Sequence, residues 1–336
     1  MKIFKQHLSF VCAACLLLAA VFGCKQTAKQ PEWPKAKRIA GKEQGLSHVS
    51  GLVVDDKFAY VTIGGTVADQ NEGHTGLRKV TLDSGAVVSL DSEKAPQSDQ
   101  GGLAQDEKFI YWNAEGNILR IPKEGGKREI VAPDHVGVGI DLAVDNEKVY
   151  WTNHGYYSAN SPTKPSPVYV VPKQGGQVEL FSAEQNIPHS LIVDEKFVYW
   201  VTPNSIVKQA KAGGSAQVIY QATDKEGVDE LAQDNDSLYF GFRAAGDSRW
   251  ALRKISKQGG EPQTIVKRYS LKPVALDEGY IYFFDEEGMY KDLLCRVAKS
   301  GGEVEKLDSG YSSGVIAQGN RQVYFASLDD IYVFLK

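Results

Sequence analysis

The chain has 336 residues, is 42% hydrophobic and 24% charged, and holds 33 Gly and 16 Tyr. That composition excludes a disordered chain and leaves room for two domains or one large all-β domain. The formal net charge of −4 comes with no basic stripe and no nucleic-acid-binding motif, which excludes DNA or RNA as a partner.

Residues 1–23 carry Lys2 and Lys5, an apolar run and then small residues, the pattern of a secretory signal. The run is too short for a membrane span, which needs about 20 residues. It ends in Val21-Phe22-Gly23-Cys24. This resembles the lipobox of bacterial lipoproteins, although Phe22 is bulkier than usual there. The resemblance implies cleavage before Cys24 and lipidation of its thiol. Each buried CH₂ of such a lipid contributes about 0.8 kcal/mol, so two or three acyl chains hold a protein at a membrane. Lys25 follows the cysteine, and by the same resemblance this favours the periplasmic face of an outer membrane if the cell has one.

Cys12 and Cys15 leave with the signal and Cys24 takes the lipid, so Cys295 is left with no partner for a disulfide. Losing Lys2 and Lys5 takes the mature charge from −4 to −6. Residues 24–35, polar with two prolines, read as a tether. Ala36 to Gly41, "AKRIAG", reads as a strand without a local partner.

From there the chain repeats itself. "DEKFIYW" at Asp106 returns as "DEKFVYW" at Asp194, and related copies begin at Asp55, Asp145, Asp234, Asp277 and Gly319. Their tyrosines, Tyr60, Tyr111, Tyr150, Tyr199, Tyr239, Tyr282 and Tyr324, are separated by 51, 39, 49, 40, 43 and 42 residues. Each copy has an apolar run before the Asp, an aromatic strand after it, and a third alternating strand such as "ILRIPK". Five copies then turn at Lys-x-Gly-Gly (Lys123, Lys173, Lys211, Lys257, Lys299), and the first at "LDSG". Gly-Gly supplies the positive φ of a tight hairpin. Four antiparallel strands at this period make a β-propeller blade.

The expected fold is therefore all-β, a single seven-bladed propeller over residues 36–336 with four antiparallel strands per blade. The last copy lacks a fourth strand, and residues 36–41 supply it, which closes the ring and leaves no open edge. A closed ring needs no partner to fold, so a monomer is expected. Trp112, Trp151 and Trp200 follow the second-strand tyrosines and are read as packing between blades. Asp106, Asp145 and Asp194, with their equivalents, are read as turn residues whose carboxylates hold the backbone two residues on. "DLAVDNEKVYWTN", from Asp141 to Asn153, resembles the YWTD-type and NHL-type propellers. True YWTD domains have six blades, so the count departs from that family. The chain is similar to bacterial lipoproteins that carry such repeats, a likeness that implies fold and no chemistry.

The histidines gather on one side. His48, His135 and His189 precede first strands, and His74 and His154 lie in long second-to-third-strand loops. Asp99, Asp134, Asp141, Asp229 and Glu230 also precede first strands. A first strand starts at the mouth of the central channel. His48, His135, Asp141, His154, His189, Asp229 and Glu230 thus form a candidate mouth site. It could hold a divalent cation, calcium on oxygen ligands or a transition metal on mixed His and carboxylate. The alternative is a solvated polar rim.

"GYSSG" (Gly310 to Gly314) matches G-x-S-x-G but falls between blades, where no strand-to-helix elbow forms. No Walker loop, H-E-x-x-H, EF-hand loop or zinc spacing occurs. With no complete catalytic set, the expectation is a non-catalytic scaffold in the cell envelope that binds a protein, a glycan or another envelope component. The alternative is an enzyme working through the mouth histidines. Seven-bladed lyases of the streptogramin type and six-bladed lactonases resemble that architecture, but neither family's motif is matched here.

Overall fold

The computed structural model describes residues 36–64, 76–91, 98–114, 116–133, 141–153, 166–269, 274–286, 292–311, 314–319 and 322–335. These form seven four-stranded antiparallel sheets, with one short 3-10 turn at Lys42–Gln44. In chain order the blades span residues 49–89, 98–132, 142–185, 189–221, 227–268 and 274–311. The seventh joins residues 315–335 to the strand Lys37–Ala40. That strand pairs antiparallel with Asp330–Leu335, Lys37 opposite Val333 and Ala40 opposite Ile331. The ring closes by sharing one sheet between the two ends of the domain.

Strand alternation decides what fills the gaps between blades. In a second strand the residues at Tyr and at Tyr+1 face opposite neighbours. Tyr111 packs with Leu142, Val149 and Trp151 of blade 3, while Trp112 and Ile110 pack with Tyr60 of blade 1. Trp112, Trp151 and Trp200 are each 1% exposed or less. Aromatic rings of this size bury the largest area per residue, so two in succession cement a blade on both sides.

The turn between first and second strands lies on one face of the ring. There the Asp of each of blades 1 to 5 does four things at once, and Asp277 of blade 6 does the first three. Asp106 Oδ1 accepts the Lys108 and Phe109 amides, both at 2.8 Å, and Oδ2 accepts the Tyr111 hydroxyl at 2.9 Å. The fourth partner is Lys173 of the next blade, at 2.6 Å. The same arrangement recurs as Asp55–Lys123, Asp145–Lys211, Asp194–Lys257 and Asp234–Lys299. Every one of those lysines opens a Lys-x-Gly-Gly turn, where the glycines take φ of 87° and 126° in blade 2. Local turn chemistry and the contact between blades are therefore written by the same repeated residues.

Closure breaks the pattern in both partners together. Blade 1 has Leu82 where its neighbours have the lysine, and blade 7 has Gly319 where they have the aspartate. Tyr324 then donates to Gln322 Oε1 at 2.6 Å. A depression of about 540 Å³ remains at this seam, walled by Ile39, Leu82, Tyr324 and Val333.

Candidate functional site

The opposite face, where first strands begin, is irregular, and the irregularity is a bulge. In blade 1, Gly51 pairs with Thr62; in blade 3, Asp141 lies level with Thr152. Blades 1, 4 and 5 each insert one extra residue in the first strand, before the paired Gly51 in blade 1 but after the paired residue in blades 4 and 5. His189 pairs with Val201 and Asp229 with Gly241, while Ser190 and Glu230 take φ of 50° and 52°. Offset along the sequence aligns Asp141 with Ser190 and Glu230. The bulges instead place His189 and Asp229 at the paired level, and leave Ser190 and Glu230 as the inserted residues. A left-handed conformation at a non-glycine residue is strained, and such residues persist where their surroundings hold them.

What holds them is a chain of contacts across three blades. The Asp141 backbone amide donates to Thr152 Oγ1 at 3.0 Å. Asp141 Oδ2 accepts the Ser190 amide of blade 4 at 2.7 Å. His189 Nε2 stands 3.3 Å from Asp229 Oδ1 of blade 5, and that oxygen also accepts the Glu230 amide at 2.9 Å. His189 Nδ1 lies 3.0 Å from the Ile187 carbonyl oxygen.

Both ring nitrogens of His189 thus face atoms that only accept. Both contacts are hydrogen bonds only if both nitrogens carry protons, which is the imidazolium. The electrostatics agree. Burial pulls the imidazole pKa down, but the Asp229 hydrogen bond, the Ile187 carbonyl and the charges of Asp229 and Asp141 outweigh it and hold the ring above its ordinary value.

His48 begins the first strand of blade 1, with φ 41°, and its amide donates to Asp329 Oδ1 of blade 7 at 2.8 Å. It belongs to the same face but to the other side of the ring from blades 4 and 5. His135 and His154 lie outside the described residues, as do His74 and Asp134. Among the described residues no group of three His, Cys, Asp or Glu side chains is arranged to hold a metal ion. Cys295 is buried in the third strand of blade 6.

One feature of this face carries no signal in the repeat. Trp250 opens the third strand of blade 5, away from the second-strand position of the other strand tryptophans, and is partly exposed. Its ring meets Gly241, whose neighbour across the strand pair is Asp229. Sequence reasoning passes over it because it breaks the alignment. The available signal was that misplacement, together with glycine at both Gly227 and Gly241, where other blades carry side chains.

No protein-family profile matches the chain, and no curated protein matches it. Solved structures do. An oligogalacturonate lyase from Vibrio parahaemolyticus superposes with a TM-score of 0.70, covering 91% of this chain and 94% of its own at 12% identity. An oligogalacturonate lyase in complex with manganese gives 0.61, covering 78% and 83% at 11% identity. A chain of a nidogen/laminin complex gives 0.50, covering 70% and 89% at 17% identity. At such identities the likeness establishes the shared propeller fold and nothing about chemistry.

Proposed function

We propose that this protein is a non-catalytic binding propeller, carried on the periplasmic side of the cell envelope by a lipid on Cys24, that presents its mouth face to an envelope component. The observation that carries the reading is the rim across blades 3 to 5. Asp141 and Asp229 are engaged by the Ser190 and Glu230 amides and by His189. Side chains committed to holding one blade against the next make a rigid, preformed surface, and preformed surfaces lose less entropy when they bind.

The test is retention of the protein by isolated envelope fractions. Replacing residues 65–75 and 154–165, which join second to third strands at the mouth, with short linkers should abolish retention while far-ultraviolet circular dichroism stays that of the intact ring. Undiminished retention would remove the mouth face from the reading.

One observation favours a second reading, an enzyme of lyase or hydrolase type. His189 is a mouth imidazole whose pKa is held above its ordinary value beside Asp229, and a substrate that displaced the 3.3 Å Asp229 contact would meet its Nε2 as a proton donor. The oligogalacturonate lyases share the fold without carrying over any residue. In this reading His189→Ala abolishes turnover of a screened glycan substrate while the melting temperature holds. A fall in melting temperature alone returns His189 to the rim.

A further inference from the structure

We propose that the mouth end of blade 5 carries a saccharide subsite built on Trp250 and Arg243, and that its ligand is a pyranoside bearing a carboxylate. The proposal rests on the binding reading above and gives it a ligand class.

The indole lies on a bed of glycine. A Cβ added to Gly241 would stand 3.3 Å from Trp250 Cε3, and one added to Gly227 would stand 3.7 Å from Cη2. Glycine at both places leaves room for the ring close against the first two strands. The same Gly241 Cβ would approach the Asp229 carbonyl oxygen to 3.1 Å. The platform and the His189–Asp229 pair therefore share one stretch of backbone, and a ligand on the indole extends toward the rim.

Arg243 supplies the charge. It stands across the strand pair from Trp250, beside the Phe242–Ala251 pair, with its guanidinium carbon 5.3 Å from the ring centroid. Three arginines are exposed among the described residues. Arg38 holds Glu43 and Asp330, and Arg249 holds Asp247. Arg243 meets no carboxylate there; its contact is the indole.

These parts select a chemistry. A flat, partly exposed indole offers an electron-rich apolar face, which suits the C–H face of a pyranose. A guanidinium fork matches a carboxylate with two parallel bonds, and stacking on an aromatic ring presets its plane. Ring hydroxyls would then be met by the Asp229 carboxylate as acceptor. A neutral sugar leaves the guanidinium without a partner.

The full-length protein in detergent is titrated with a galacturonate trisaccharide and with the neutral galactose trisaccharide of the same linkage. Binding is followed by calorimetry and by tryptophan fluorescence. The acidic sugar should bind at least about tenfold more tightly, roughly the worth of one charge-assisted contact. Arg243→Gln should erase that preference and leave the neutral sugar unaffected. Trp250→Ala should abolish binding of both. Trp250→Phe, which keeps an aromatic face on the glycines, should retain part of it and guards against a folding artefact. No preference for the acidic sugar, or full binding by Trp250→Phe and Arg243→Gln alike, overturns the subsite. Envelope retention that survives in the Arg243→Gln, Trp250→Phe double variant, with no saccharide binding in the parent, would sink the subsite and leave the scaffold reading standing.

Discussion

The turn face and the mouth face hold the same seven blades together by opposite means. On the turn face one contact is copied: Asp55, Asp106, Asp145, Asp194 and Asp234 each take a lysine from the next blade. On the mouth face, among the described residues, four interfaces each have their own device. His48 uses its backbone against Asp329, Asp141 takes a backbone amide of Ser190, His189 meets Asp229, and Arg268 meets Asp285 at 3.2 Å. A contact that repeats builds a ring. A contact that varies gives each sector of the rim different chemistry, and only the second kind can discriminate between ligands.

The largest effect expected from this contrast comes from deleting one copied contact. Asp194→Ala removes the acceptor for two backbone amides, for the Tyr199 hydroxyl and for Lys257. The Lys257 side chain is only 9% exposed and is left unpaired. Breaking a buried pair from one side costs about 3–5 kcal/mol, and the partial exposure of Asp194 brings the expected loss to about 2–4 kcal/mol. Urea unfolding measures it. His189→Ala, on the varied face, should cost less in the same assay. The reverse order would mean that the mouth rather than the turns holds the ring.

The seam between blades 7 and 1 sharpens the comparison, because there the copied contact is absent. Writing it back does not restore it. A Cβ at Gly319 would fall 2.7 Å from Tyr324 Cε2. The ring of Tyr324 has taken the space that an aspartate would need. Gly319→Asp should therefore destabilise by about 1–3 kcal/mol, the usual cost of overpacking, and adding Leu82→Lys should recover only part of that. A double variant more stable than the parent would show the seam to be an ordinary interface with two residues missing.

The same contrast explains what could be read from sequence. Blade number, strand count and closure by residues 36–41 were legible because each rests on a residue type that recurs for one physical reason. Asp caps the turn, Tyr fills the gap, and Gly-Gly reverses the strand. The mouth was legible only as a list of candidates. Which residue of Asp229 and Glu230, or of His189 and Ser190, takes the paired position depends on a one-residue bulge, and no local pattern announces it. Trp250 and Arg243 were invisible for the complementary reason. They belong to one blade, so the repeat that reveals everything else treats them as exceptions.

The smallest effects are expected from pH, and they separate the two faces by direction. On the turn face burial pushes the Asp106 carboxyl up, but Lys173 and the Lys108 and Phe109 amides outweigh it and hold it at about 2, against an ordinary 3.8. Asp234 is likewise held at about 2, with Tyr239 and Lys299 as its strongest hydrogen-bond partners. A carboxyl depressed by folding lends stability that is complete above its ordinary value and is lost as pH falls through its folded one. The turn face should therefore give way between pH 3.8 and about 2, and Asp106→Asn should flatten part of that limb. His189 runs the other way. Its pKa is raised above 6.5, so its contribution is complete below that value and fades as pH rises through the folded one. His189→Gln should remove a shallow decline that sets in above pH 6.5 and leave the acid limb untouched. Melting temperatures taken across the pH range for the parent and both variants read the two limbs in one experiment. A His189→Gln protein whose acid limb moved with its alkaline one would mean that the two faces are coupled through the blades rather than built independently.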